Sequence, residues 1–366
     1  MRKRSLTMEM KSVMRSLIVV LLLGAALLMA CGDTTEKEFY AGKTIFVYVG
    51  RPPGSGADLS VRSFVRFWPE HIPGRPTMVV KNVPGGGGSR VWNLAWDKKQ
   101  PNDLEIYFSP VSGTAVIVHE QGLRADLSKM PLIGALTSPN MTFARTDRLA
   151  SAEDLPNVAG LKFGGQGPAH RFSVLGRLTL DILGVDYISV TGFSGASDVF
   201  NAVRRKEVDI QTAPLNFYRF TVEPNVVKNG EVIPLWYNPI IDGTGEIIPL
   251  PAAGDIPSFI DYYESVKGTA PAGELFELYK WLLPNVNGIV YAAFLPRRSS
   301  PAVAQILSDS FAQVTQDEAY LAEEKKMFGF NLPVVSSEQG AKILDDMANA
   351  PDDKRVRLEQ YIQQVR

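Results

Sequence analysis

Apolar residues recur along this chain with two alternating spacings, short runs typical of strands and longer stretches with the three-to-four spacing of helices. Runs at 45–49, 78–80 and 104–108 predict strands, and Val61 and Phe64 belong to the helical spacing that follows the first run. The alternation continues to about residue 240, and from residue 300 the pattern becomes helical. Such a succession favours an α/β fold with mostly parallel sheets.

Two glycine-rich loops follow the first two predicted strands. The first reads R-P-P-G-S-G-A-D over residues 51–58, and the second reads N-V-P-G-G-G-G-S-R over residues 82–90. Each loop stands between a strand and a helix start, where free backbone N–H groups and the positive end of a helix dipole meet. Glycine lets the backbone approach a ligand closely. Together the loops predict a site for one carboxylate, although either loop alone is also typical of an ordinary βα turn.

Neither loop matches a phosphate-binding fingerprint. Gly42-Lys43-Thr44 has the end of a P-loop, but Lys37 occupies the position of its first glycine. Leu59 occupies the position of the third glycine in the dinucleotide fingerprint. The three histidines show no metal-ligand spacing. We therefore expect no cofactor and no metal.

The N-terminal residues predict export and a lipid anchor. Basic residues precede an apolar stretch at 17–28, which is shorter than the roughly 20 residues of a membrane span. The stretch ends in Leu28-Met29-Ala30-Cys31, which looks like the lipobox of bacterial lipoproteins. We expect a signal peptide over 1–30, lipidation at Cys31 and a tether over 31–43, and therefore a membrane-anchored lipoprotein of the periplasm. A plain signal peptide with a chance cysteine is the alternative.

The charge of the predicted mature chain argues against nucleic acid as a partner. Without residues 1–30 the chain has 33 basic and 38 acidic residues, a net charge of −5. A protein with this balance has no bulk attraction for a polyanion. A small anionic ligand would instead be attracted locally, by loop N–H groups and a few basic side chains.

Four loop motifs in order make the chain resemble the solute-binding proteins of tripartite tricarboxylate transporters, the Bug family. P-P-G-S-G-A-D at 52–58 matches that family's first loop, and N-V-P-G-G-G-G at 82–88 its second. F-G-G-Q-G-P-A-H at 163–170 is a shorter form of the third loop, and V-T-G-F-S-G-A-S-D at 190–198 corresponds to the fourth. The match extends over roughly residues 45–240.

The resemblance implies a two-domain Venus flytrap with a two-strand hinge, a small carboxylate in the cleft, and membrane transporter subunits as partners. It implies domain 1 over 44–144 and 239–366, and domain 2 over 145–238. Di- and tricarboxylates and aromatic acids are the expected ligands. The expected ligand-binding residues are Arg51, Pro53, Gly54, Ser55, Gly56, Ala57, Asp58, Asn82, Pro84, Gly85, Gly86, Gly87, Ser109, Thr114, Gly165, Gln166, Gly167, His170, Phe193, Ser194, Gly195 and Asn216.

Several of these positions depart from the family pattern or admit two roles. Arg51 replaces the usual aromatic residue, and is expected either to pair with a second carboxylate or to point into solvent. His170 is expected to bind ligand or to pack at a helix start. Asp58 is expected to cap the helix that follows it. Phe193, at a loop tip, is the aromatic residue expected to contact ligand.

Two other functions remain open at this stage. A scaffold or sensory lipoprotein could keep the fold without a ligand, because fold does not fix function. A serine hydrolase is the other alternative, since Ser194 lies in G-F-S-G-A, close to the G-x-S-x-G pattern. Ala196 breaks that pattern, and all three histidines precede this serine. We therefore expect a binding protein and no enzyme.

Overall fold

The structure is a computed structural model that describes residues 39–241, 247–248 and 250–364. The predicted signal peptide, Cys31 and residues 31–38 of the predicted tether lie outside the described residues. In the part of the chain that is described, no helix is both long enough and apolar enough to cross a membrane.

Strands and helices alternate as the apolar pattern predicts. The strands are β1 (Thr44–Val49), β2 (Thr77–Asn82), β3 (Glu105–Pro110), β4 (Leu132–Leu136), β5 (Asn140–Arg145), β6 (Leu161–Gly164), β7 (Tyr187–Val190), β8 (Ile210–Pro214), β9 (Val232–Asn238), β10 (Ile240–Ile241), β11 (Ile247–Ile248), β12 (Tyr291–Phe294) and β13 (Val334–Ser336). The helices are α1 (Gly56–Phe67), α2 (Ser89–Asp97), α3 (Gly113–Ile117), α4 (Arg171–Leu183), α5 (Ala196–Arg204), α6 (Leu215–Phe217), α7 (Phe259–Lys267), α8 (Glu274–Asn287), α9 (Pro301–Val314), α10 (Glu318–Phe328), α11 (Ser337–Ala348) and α12 (Asp352–Gln363). A π-helical segment, Tyr218–Val227, follows α6.

The first sheet has six strands in the order β13-β4-β12-β3-β1-β2. β1 pairs in parallel with β2 and β3, whereas β12 and β13 are antiparallel to their neighbours. Helices α1 and α9 cover one face, and α2 and α11 cover the other. Alternate residues of β1 follow this division, because Val47 packs under α1 while Tyr48 packs under α2.

The second sheet has five strands in the order β7-β6-β8-β5-β9. β6 is parallel to β7 and β8, and β5 is antiparallel to β8 and β9. Helix α4 packs on one face together with α7 and α8, and α5 packs on the other with the π-helical segment. The two-domain α/β arrangement is confirmed. The expectation of mostly parallel sheets is wrong, because both sheets are mixed.

The chain passes between the sheets twice at neighbouring points. β4 belongs to the first sheet and β5 to the second, so the first passage lies at residues 137–139. The chain leaves the second sheet after β9, whose last residue, Asn238, pairs with Asn140 of β5, and it rejoins the first sheet at β12. The resemblance implies a first domain boundary at 144/145, after β5, whereas the pairing of β5 with β8 and β9 puts that strand in the second sheet.

Three buried asparagines join these passages to the end of α8. Asn140 donates from Nδ2 to Asn287 Oδ1 at 2.7 Å, and Asn287 donates to the carbonyl oxygen of Pro239 at 3.2 Å. Tyr279 donates its hydroxyl to Asn238 Oδ1 at 2.9 Å. All three asparagine side chains are fully buried. Because buried amides need partners, this cluster fixes how the passages cross.

Candidate functional site

The first glycine-rich loop turns from β1 into α1 and is held from beneath by polar side chains. The Gly50 N–H donates to Ser109 Oγ at 3.0 Å. The Asp58 carboxylate accepts the Gly54 N–H at 2.8 Å. Ser55 is the helix N-cap, since its side chain accepts the Asp58 N–H. The expectation that Asp58 caps α1 is therefore wrong, because it lies in the first turn and braces the loop.

The second loop consists of four glycines that no other residue would easily replace. Gly85, Gly86, Gly87 and Gly88 have φ angles of +135°, +57°, +61° and +108°. L-residues with a side chain seldom adopt these angles, so the turn requires glycine. A Cβ on Gly86 would also lie 2.5 Å from Ser89 Oγ. The turn therefore leaves its backbone open to the cleft.

Two loops from the second sheet face the glycine-rich loops. One follows β6 and contains Gln166 and His170; the other follows β7 and contains Gly192 and Ser194. The Gly192 N–H donates to the carbonyl oxygen of Gln166 at 2.6 Å, so the two loops are joined. Four loops thus converge on one cleft, two from each sheet.

Arg51 connects the two sides of this cleft. Its Nη1 donates to Gln166 Oε1 at 3.3 Å and to the Ser194 carbonyl oxygen at 3.4 Å. Its side chain is buried, with the residue 8% exposed. The alternative that Arg51 points into solvent is therefore wrong. Within the described residues the guanidinium pairs with no carboxylate. Burial lowers the pKa of Arg51 to about 10, so it remains charged at neutral pH.

A second buried guanidinium lies beside the cleft. Arg171, the first residue of α4, donates to the carbonyl oxygen of Val286 at 3.2 Å and lies over the Phe172 ring at 4.4 Å. It too has no carboxylate partner in the described part of the chain. Burial, together with the smaller effect of the nearby charge of Arg51, lowers the pKa of Arg171 to about 10. Buried charges are normally paired, so two unpaired guanidiniums create a demand for an anion.

The geometry of His170 creates the same demand. Its Nδ1 lies 3.4 Å from the Phe172 N–H, and its Nε2 lies 3.3 Å from Arg51 Nη2. Burial and the charges of Arg51 and Arg171 hold the pKa of His170 well below its usual value, so the ring is neutral. A neutral imidazole has one N–H and one lone pair, so it cannot accept from both neighbours. An acceptor atom between His170 and Arg51 would satisfy both groups.

The cleft contains two cavities, of about 490 Å³ and 250 Å³. Arg51, Gln166 and His170 line both cavities and stand between them. The larger cavity opens onto the second glycine-rich loop, and the smaller onto the first. The volume of the larger cavity lies within the range of small-molecule sites, and that of the smaller lies just below it.

Most of the predicted site residues line these cavities. Those at the larger cavity are Arg51, Pro84, Gly85, Gly86, Gly87, Gln166, Gly167, His170, Phe193 and Ser194. Those at the smaller cavity include Arg51, Pro53, Gly54, Ser55, Gly56, Ala57, Gln166, His170 and Gly195. Ligand contact by each of them stays a prediction.

Six predicted residues lie behind the cavity walls and hold the loops. Asn82 donates to the Arg51 carbonyl oxygen at 2.9 Å and to Asp58 at 2.7 Å. Thr114 donates to the carbonyl oxygen of Ala169, which ties α3 to the loop before α4. The full set is Asp58, Asn82, Ser109, Thr114, Gly165 and Asn216.

Asn216 links the two sheets beneath the cleft. It is fully buried, and its Nδ2 lies 3.1 Å from Ser60 Oγ and 3.0 Å from the Tyr291 hydroxyl. Ser60 and Tyr291 belong to the first sheet and its helix, whereas Asn216 follows β8 of the second. Its contacts are therefore between domains.

Several cavity residues carry no sequence signal for a site. Arg171 lies at the start of the helical pattern of α4, where a basic residue is typical of the polar face of an amphipathic helix and does not indicate a site. Trp92 reads as core, and it does pack edge-on against Phe294, yet it also lines the larger cavity. Glu120 follows the five-residue helix α3 and lines the same cavity. A single acidic residue after a short helix gives no pattern to recognise.

Comparisons with known proteins agree on the fold. No family model matches the chain, and no curated protein matches it in sequence. The periplasmic binding protein BugD has a TM-score of 0.65 at 17% identity, over 88% of this chain and 98% of its own. MatC from Rhodopseudomonas palustris, solved with malate, has a TM-score of 0.61 at 15% identity, over 87% and 99%. An R. palustris protein solved with adipate has a TM-score of 0.64 at 12% identity, over 88% and 97%.

These neighbours include Bug and TctC periplasmic binding proteins. The resemblance that the four loop motifs indicated is thereby confirmed at the level of the fold, which is a two-domain Venus flytrap. At such low identities the likeness extends to the fold alone.

Proposed function

We propose that this chain is an extracytoplasmic receptor that captures a small carboxylate in the cleft between its two domains. The observation that carries the proposal is the buried Arg51 guanidinium. It lies where loops from both sheets meet, and no carboxylate pairs with it among the described residues.

A ligand carboxylate would supply the partner that Arg51 lacks. Burying a cation is costly unless a counter-charge or good hydrogen bonds compensate. Gln166 and Ser194 offer Arg51 only neutral acceptor oxygens. An ionised carboxylate forms shorter and stronger bonds with a guanidinium than neutral acceptors do. The open backbone of the second glycine-rich loop adds N–H donors on the other side.

Binding is expected to draw the domains together about the passages at 137–139 and after Asn238. Arg51 comes from the first domain, and Gln166, His170 and Ser194 come from the second. An anion held between them adds interactions only in the closed state. We assign β5 to β9 to the second domain and the first sheet with its helices to the first domain, with α8 packed between.

The proposed role in transport is supported by the solved structures that this chain resembles in fold. The neighbours were solved with malate and with adipate, two small carboxylates. We propose that this receptor delivers its ligand to membrane subunits of a tripartite tricarboxylate-type transporter. Lipidation at Cys31 would hold it at the membrane. Replacing Cys31 by Ser should release the protein from the membrane fraction or leave it unprocessed, and a wholly soluble wild type would contradict the anchor.

A matched ligand screen tests the receptor function. Small carboxylates should raise the melting temperature of the wild type, and their neutral carboxamides should not. A ligand at a hundredfold excess over Kd stabilises the folded state by about 2.7 kcal/mol. Ligands that stabilise the protein should also reduce its radius of gyration in small-angle scattering. If no carboxylate stabilises the protein, the ligand-free scaffold is the better account.

A further inference from the structure

The larger cavity carries two opposite charges at different places on its wall. Arg51 contributes the positive charge and Glu120 the negative one. The remaining side chains that line it are uncharged, given that His170 is neutral. The formal charges of this cavity therefore cancel, so a purely anionic ligand would meet no net positive charge from the side chains of its wall.

Glu120 faces this cavity without a partner of its own. It lies just after α3, where His119 adopts a left-handed φ of +47° and the Glu120 N–H bonds back to the carbonyl oxygen of Ala115 at 2.9 Å. Its Oε1 lies 3.9 Å from the position that a Cβ on Gly167 would occupy, so it reaches the loop after β6. Among the residues that the structure describes, no hydrogen bond or ion pair involves its carboxylate. Its half-buried position raises its pKa.

The two charged side chains of the cavity wall therefore favour opposite charges on a ligand. Arg51 contributes a guanidinium without a carboxylate partner among the described residues, and the second glycine-rich loop contributes backbone N–H groups. Near Glu120 there is a partly desolvated carboxylate, with Gln121 beside it. A second carboxylate on the ligand would meet the like charge of Glu120, which is unfavourable in a partly buried site. A protonated amine there would instead form a charge-assisted hydrogen bond.

We propose that the ligand is a zwitterion, a small carboxylate that also carries a protonated amine, with its carboxylate at Arg51 and its amine at Glu120. This inference rests on the proposed receptor function and names its ligand class. It separates amino acids and related amino carboxylates from the simple di- and tricarboxylates that the loop motifs alone suggest.

Matched probe pairs test this assignment by isothermal titration calorimetry. The pairs are leucine and isocaproate, phenylalanine and hydrocinnamate, and glutamate and glutarate, which differ in each case by one amine. In at least one pair the amino probe should bind the wild type about tenfold or more tightly than its partner, the effect of one charge-assisted hydrogen bond. Glu120→Gln should remove this preference and leave the affinity for the amine-free probe unchanged or improved. Glu264→Gln, at an exposed glutamate of α7, is the control and should keep the preference.

Each other outcome overturns the assignment in a distinguishable way. If amine-free probes bind the wild type as tightly as amino probes, Glu120 does not receive an amine, and the carboxylate receptor stands. If Glu120→Gln weakens both members of a pair equally, Glu120 acts on the loop structure and does not select the ligand. If no carboxylate with or without an amine binds the wild type, the receptor function fails together with this inference.

Discussion

Replacing Arg51 by Met should weaken ligand binding and leave the unliganded protein as stable as the wild type or more so. Methionine has a similar length and no charge. Burial lowers the pKa of Arg51 from 12.5 to about 10. Because one pKa unit corresponds to 1.36 kcal/mol, burial of the charged side chain costs the unliganded protein about 3 kcal/mol.

The hydrogen bonds of Arg51 offset part of this cost. Its bonds to Gln166 and Ser194 are long, at 3.3 and 3.4 Å, and are made to neutral acceptors, so they contribute only roughly 1 kcal/mol each and leave about 1 kcal/mol of net destabilisation. Since no carboxylate in the described residues pairs with Arg51, its removal leaves no described anion without a partner. The free energy of unfolding of the unliganded variant should therefore rise by about 1 kcal/mol.

Ligand binding should respond in the opposite direction. Losing one charge-assisted hydrogen bond costs about 1.5–3 kcal/mol, which is roughly a 10- to 150-fold loss of affinity. Urea unfolding gives the first quantity and calorimetry with a stabilising carboxylate gives the second. Arg66→Met, in the last turn of α1, is the control and should change neither by much, because its side chain is 69% exposed and its ion pair with Glu323 lies at the surface. A variant that is destabilised by more than about 2 kcal/mol while keeping its affinity would refute the reasoning, because Arg51 would then serve the fold.

Three further predictions test the loops, the imidazole and the passages. Gly86→Ala, at φ +57°, should lose ligand affinity in calorimetry and about 1–2 kcal/mol of stability in urea unfolding. Gly230→Ala, at φ +71° in open space, is the control and should lose stability alone. Because the pKa of His170 in the folded protein is well below 6.5, the unfolded chain binds more protons than the folded protein as the pH falls below 6.5. The free energy of unfolding of the wild type should then fall by up to about 1.4 kcal/mol per pH unit relative to that of His170→Gln. Parallel pH profiles of the two proteins in urea unfolding would contradict this. Asn287→Ala should lower the free energy of unfolding by about 1–3 kcal/mol, because it leaves the buried amide of Asn140 without its partner. Asn285→Ala, on the half-buried side of the same helix, should lower it by less. Equal losses in urea unfolding would argue against a stabilising role of the amide cluster.

The glycine-rich loops could be predicted because all the residues that form each turn are consecutive in the sequence. A turn with four glycines after an apolar run has few structural meanings, and both loops do line the cleft. The direction of the strands could not be predicted in the same way. An apolar run such as that of β5 or β12 looks the same in a parallel and in an antiparallel strand, so the sequence did not indicate that the sheets are mixed.

Residues that act through the tertiary fold escaped the sequence analysis. Asp58 was expected to cap α1 because acids favour that position, but Ser55 competes for it three residues earlier. Glu120 becomes significant only once α3 and the loop after β6 are brought together. Asn216 is expected at the ligand from the resemblance, and in the structure its amide lies within hydrogen-bond distance of Ser60 and Tyr291, which no sequence pattern indicates.

A crystal structure with a stabilising carboxylate bound would show whether Arg51 receives the ligand. We expect a carboxylate oxygen about 2.7–2.9 Å from an Nη atom of Arg51, with backbone N–H groups of residues 85–89 on its other side. The Arg51 bonds to Gln166 and Ser194 should lengthen or be replaced. A ligand carboxylate bound elsewhere, with those two bonds intact, would contradict the account.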